Sequence, residues 1–170
     1  MRYFYDTEFD QTATGYDLIS IGVVAEDGRS YEAVSAEADW DRIGQNGWLM
    51  DNVVPHLPPE QEWKPRRTIA EELFLFLTED DRPPELWGWF TSWDHTCLTK
   101  LYGGIPSPSW LPDFTHDLRV VVEYADLPGS VFRNLPIFGV NHSALEDAWK
   151  TKESFDIVAE YAPFLREKKG

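Results

Sequence analysis

The chain has 170 residues, 42% of them hydrophobic, which suffices for the core of one ordinary domain and leaves little for a second. A formal charge of -15 excludes a broadly basic surface for nucleic acid, so any contact with a polyanion must be local or carried by bound divalent cations. The single cysteine, Cys97, excludes an internal disulfide and a cysteine-based zinc site. With no apolar run of about 20 residues and no leader-like start in "MRYFYDTEF", the chain is expected to be cytoplasmic and without a membrane segment.

Residues 2 to 9 alternate weakly, as a strand does, and end in acids. "DLISIGVVAEDGRSYEAVSAE" reads as two further strands about Asp27-Gly28, a pair that favours a type I′ hairpin turn because both central residues there need positive φ. Residues 2 to 36 are therefore predicted to form a three-strand meander. From Glu37 to Arg67 the pattern breaks into tryptophans and prolines, with a short helix expected over 40–52. "TIAEELFLFLTED" predicts a helix, with Thr68 as N-cap, Glu71 completing a capping box, and Ile69, Leu73, Phe76 and Leu77 on one face. "ELWGWF" (85–90) returns to strand, and "DHTCLTKLYG" reads as a short helix stopped by glycine. A proline-rich loop follows, then a helix over "HDLRVVVEYA" and a last helix from about Ser143 towards Tyr161. This order predicts one α/β domain over residues 1–170: a mixed sheet, the antiparallel meander followed by parallel strands, with flanking helices.

The acids carry the chemistry. Asp6 and Glu8 share one face of the first strand, a few ångströms apart. Like charges held that close raise each other's pKa unless a cation lies between them, and a divalent metal is the economical cation. Asp94 follows "ELWGWF" at the lip of the sheet, where α/β folds place ligands. "NHSALEDAWK" supplies His142 and Asp147. On one regular helix these two would stand about 140° apart, whereas with His142 in the preceding loop, and Ser143 and Glu146 as a capping box, both reach one cleft. Such a pair suits a histidine acting on water beside a metal that Asp147 helps to hold. Taken singly, each residue also has an ordinary reading: an acidic strand end facing water, Asp94 as a helix N-cap, His142 as a surface residue, Cys97 and most tryptophans as packing.

Together, D-x-E, a distant Asp and H-x4-D resemble the DEDDh group of 3′-to-5′ exonucleases within the ribonuclease-H-like superfamily. "MRYFYDTEF", "LISIGVVAEDGRSYEAVS", "VVPHLPP", "ELWGWFTSWDHTCL" and "HSALEDA" narrow the resemblance to RNase AS, an actinobacterial 3′-to-5′ exoribonuclease family that degrades polyadenylate. The resemblance implies a ribonuclease-H-like mixed sheet. It implies that Asp6, Glu8, Asp94 and Asp147 bind two Mg²⁺ or Mn²⁺ ions, with His142 as general base. It further implies hydrolysis of single-stranded RNA from its 3′ end to nucleoside 5′-monophosphates, and a homodimer. Thr7 and Phe9 are expected to grip the terminal nucleotide, with Phe9 against its base or sugar, and His95 to contact a base or phosphate. Lys64, Arg66 and Arg67 form the compact basic stretch, read as a solvated loop or an RNA-backbone contact. The chain departs from the family's pattern over 40–52 and in "YADLPGSVFRNLPIFGVN". A DNA-directed exonuclease using the same metals and a non-catalytic acidic interaction module stay open as alternatives.

Overall fold

Alternation along the first strand decides the architecture. In the computed structural model, which describes residues 1–138 and 142–165, β1 (Arg2–Thr12) sends Tyr3 and Tyr5 into one core and Phe4 into another, with Asp6 and Glu8 continuing the face of Phe4. β2 (Gly15–Ala25) and β3 (Ser30–Val34) complete the antiparallel meander, and β4 (Glu85–Gly88) and β5 (His116–Asp117) add in parallel on the other side of β1. The sheet order is β3-β2-β1-β4-β5, a mixed sheet in which the antiparallel meander is followed by parallel strands, as expected.

Helices cover both faces. α3 (Arg66–Thr78) and α4 (Ser92–Leu101) place Ile69, Leu73, Leu77, Cys97 and Leu98 against Tyr3, Tyr5, Ile21 and Val23. On the opposite face α5 (Leu118–Tyr124) and α7 (Ala144–Tyr161) bury Leu118, Val122, Phe155 and Val158 with Phe4 and Trp87. The short α1 (Trp40–Ile43) and α2 (Gly47–Asn52) seal a third cluster around Ile19, and α6 (Gly129–Arg133) lies between α5 and α7 in the chain. No helix among the described residues is long and apolar enough to cross a membrane.

Local chemistry corrects several boundaries. The β2–β3 connection is not a type I′ turn, because Gly28 alone has positive φ (+92°) and its N–H bonds the Ala25 carbonyl at 3.0 Å. The helix expected over 40–52 divides in two, each half with its own cap: Asp39 accepts from Arg42 N and Asn46 from Leu49 N. α3 starts three residues earlier than the capping box would place it. Arg66 N donates to Glu37 Oε2 at 2.7 Å, so a carboxylate distant in sequence satisfies the helix start and leaves Thr68 inside the first turn. Ser143 does precede α7, but by its backbone: its carbonyl accepts from Asp147 N at 2.8 Å, with no side-chain cap bond. β4 ends at Gly88, and His116–Asp117 pair as a strand before the helix expected there begins.

Candidate active site

The site is assembled where the first turn of α7 meets the middle of the sheet. Across β2, Gly22 stands opposite Asp6 and Ser20 opposite Glu8. A Cβ on Gly22 would fall 2.2 Å from Leu145 N and 2.3 Å from Leu145 Cα, so the helix backbone rests directly on the strand, closer than any side chain permits. This seating brings Asp147 to β1: Asp6, Glu8 and Asp147 each offer a carboxylate oxygen, and these atoms lie within 4.8 Å of one another. Immediately beyond, the β1–β2 register shifts between Glu8 and Phe9. Asp10 then binds Arg42 Nε at 2.6 Å instead of joining the cluster.

Asp94 comes from the first turn of α4, behind Thr91, which takes the N-cap place. Gly88 makes the approach from β4 tight, since a Cβ there would meet Thr91 Cγ2 at 2.7 Å and Tyr5 O at 3.0 Å. The Asp94 carboxylate does not take the N-cap place of α4. Its Oδ1 accepts from Thr7 N at 3.0 Å and from Thr7 Oγ1 at 2.6 Å, which ties α4 to β1 between Asp6 and Glu8.

These carboxylates strain one another electrostatically. Burial, then the charges of Asp94, Glu8 and Asp147, push Asp6 well above the usual carboxylate range. Burial and the charges of Asp147 and Asp94 raise Glu8 to about 8. Burial raises Asp94 to about 6 against the opposing pull of the Thr7 hydrogen bonds. Carboxylate oxygens are the donors that Mg²⁺ and Mn²⁺ prefer, and a dication among them would offset their mutual repulsion. The donor set therefore fits a divalent metal. A positive charge stands beside it: Lys150 Nζ lies 2.7 Å from Asp147 Oδ1.

His142 precedes α7 in the left-handed region (φ +43°), where a non-glycine residue is uncommon. Its ring stands edge-on to Trp48 of α2, centroids 4.8 Å apart, and Trp48 is 53% exposed. Phe9 turns into packing, T-shaped to Tyr16 at 5.0 Å. His95 Nδ1 shares Thr115 Oγ1 (3.1 Å) with the buried Tyr5 hydroxyl (2.6 Å), and its Nε2 is buried without a hydrogen-bond partner among the described residues. Each cation of the basic stretch has a carboxylate: Lys64 with Glu72, Arg66 with Asp17, Arg67 with Glu71. Sequence reasoning missed Gly22, Trp48 and Lys150. A signal existed for the last, since a lysine three residues after Asp147 shares its side of the helix.

A five-strand mixed sheet with flanking helices, its acids gathered on the central strand, is a ribonuclease-H-like fold. Solved structures agree: Pop2p of S. pombe, in a Mg²⁺- and Mn²⁺-bound form, has a TM-score of 0.62 at 14% identity, over 95% of this chain and 84% of that one. Exonuclease I of E. coli, in complex with a dA16 oligonucleotide, has a TM-score of 0.61 at 12% identity; the match covers 96% of this chain and 41% of that longer protein. The model of the Rv2179c-like 3′-5′ exoribonuclease domain matches residues 1–159. The 3′-5′ exoribonucleases Rv2179c and MT2234.1, from two strains of Mycobacterium tuberculosis, are each 41% identical over 162 residues, covering 93% of both chains. The chain belongs to this family of 3′-5′ exoribonucleases.

Proposed function

We propose that the protein hydrolyses single-stranded RNA from its 3′ end, releasing nucleoside 5′-monophosphates. The observation that carries this reading is the convergence of Asp6, Glu8 and Asp147 within 4.8 Å, with Asp94 held alongside by Thr7. Asp6, Glu8, Asp94 and Asp147 would hold two Mg²⁺ or Mn²⁺ ions, which supply the positive charge that offsets the carboxylates and stabilises charge developing on the scissile phosphate. His142 acts as general base: a ring nitrogen takes the proton of the attacking water, from a loop position set by its left-handed backbone. Trp48 offers its open ring face to the terminal base, because aromatic faces stack on unpaired bases of any sequence. Thr7 spends both donors on Asp94 and acts by orienting it, whereas Phe9 supports β1 from the packed side. His95 supports the β5 end of the site through Thr115.

The resemblance extends the proposal to a preference for adenosine tracts and to a homodimer in the cytoplasm. A gel assay tests the core of it: 5′-labelled A-rich RNA, mixed-sequence RNA and matching DNA, with Mg²⁺, Mn²⁺ or EDTA, beside Asp6→Ala. A metal-dependent ladder shrinking from the 3′ end and lost in Asp6→Ala is expected. Cleavage that survives EDTA or Asp6→Ala would overturn the reading, and a ladder from DNA alone would move the substrate to the deoxy series.

A further inference from the structure

Lys150 stands three residues beyond Asp147 on α7, and its stem folds back along the same side of the helix. Its Nζ is 2.7 Å from Asp147 Oδ1, and its side chain keeps only 17% of its exposure. Its charge also reaches Asp6, where it opposes the combined push of burial and of the neighbouring acids. The next lysine, Lys152, pairs instead with Asp156, whose side chain is 61% exposed and belongs to no cluster.

We propose that Lys150 is the resident cation of the metal-free site, standing in for a divalent ion and giving way to it when the site loads. This inference rests on the metal-dependent reading above. The charges decide the direction. Asp6, Glu8, Asp94 and Asp147 carry four negative charges when ionised, and the ammonium offsets one of them. Two dications would balance all four, and an ammonium retained against Asp147 would then face like charges at contact distance. Loading therefore separates Lys150 from Asp147. Metal binding is weakened by the pair it must break, and the metal-free protein is relieved of part of the repulsion among its carboxylates.

Calorimetric titration of Mn²⁺ into metal-stripped protein tests this, with wild type, Lys150→Met and Lys150→Arg compared at constant ionic strength. Thermal midpoints are measured in EDTA alongside. Lys150→Met should bind Mn²⁺ about tenfold more tightly than wild type and unfold at a lower temperature without metal. Lys150→Arg keeps the charge and should stay within about threefold of wild type in affinity. Equal Mn²⁺ affinity in all three proteins, or weaker binding by Lys150→Met, overturns the inference and leaves the metal reading standing. Absence of Mn²⁺ binding in every protein overturns the metal reading and the inference together.

Discussion

The seating of α7 on Gly22 makes a sharp prediction for Gly22→Ala. The added methyl carbon would lie 2.2 Å from Leu145 N and 2.4 Å from Ala144 C, both backbone atoms that no rotamer change can clear. Restoring ordinary contact lifts the first turn of α7 by about 1 Å or bends β2 by as much. Overpacking of that kind costs about 1 to 3 kcal/mol, a fall of several degrees in midpoint. The chemical effect should be larger than the thermal one. Asp147 lies two residues beyond Leu145, in a cluster whose oxygens must stay within 4.8 Å, and a misplacement of about 1 Å in a reacting geometry costs on the order of 10²-fold in rate. The assay is kcat on A-rich RNA together with Mn²⁺ affinity by calorimetry and the thermal midpoint. Leu73→Ala is the control. It opens a cavity in the core on the opposite face of the sheet, costing about 2 to 5 kcal/mol, without touching α7. Gly22→Ala should lose activity and Mn²⁺ affinity out of proportion to its midpoint, and Leu73→Ala should do the reverse. Near wild-type turnover and Mn²⁺ affinity in Gly22→Ala would refute the idea that this contact positions Asp147.

Three further outcomes follow from the geometry. Thr7→Val removes the 2.6 Å donor to Asp94 while keeping size and the backbone N–H bond; stability should fall by about 1 to 3 kcal/mol and kcat by roughly tenfold, and an unchanged kcat in the folded variant would mean that α4 alone holds Asp94. Trp48→Ala should raise KM for RNA by about tenfold, the worth of one stacked base, with kcat within a few-fold of wild type; a selective loss in kcat would instead assign the indole to holding His142. In EDTA, the stability contributed at Glu8 should be complete below its ordinary value of 4.5 and lost as pH rises towards about 8, because the folded state holds the proton that the unfolded chain releases. Saturating Mn²⁺ should remove that decline, since it favours the ionised carboxylates. Midpoints that rise with pH in EDTA over the same window would contradict the burial and like-charge assignment of Glu8.

What could be read from the chain was whatever depends on neighbours within a turn or a strand pair. Alternation in "RYFYDTEF" put Asp6 and Glu8 on one face, and the apolar spacing of Ile69, Leu73 and Leu77 marked the buried side of α3. Placing His142 before the last helix rested on the angle that five helical residues subtend, and α7 does begin at Ala144. The misses share a different cause. Thr68 lost the cap to Glu37, a residue 29 positions from Arg66. Gly22 looked like any strand glycine until the backbone of Leu145 was found lying on it. Trp48 resembled a packing residue because only its position beside His142 sets it apart. Asp94 belonged to Thr7, not to its own helix, for the same reason: the decisive partner lies 87 positions away.

The two faces of β1 have a consequence for how the chain finds its fold. Phe4, Asp6 and Glu8 look towards α7, whereas Tyr3 and Tyr5 lie in the core under α3 and α4. A slip of one residue in pairing with β2 would exchange the faces, driving two carboxylates into an apolar core and two tyrosines under the first turn of α7. An ordinary strand with apolar residues on both sides would tolerate such an error far better. The acids proposed to hold the metals thus also act as proofreaders of strand pairing, and replacing both with apolar residues should yield a chain that folds less faithfully even where it folds more stably.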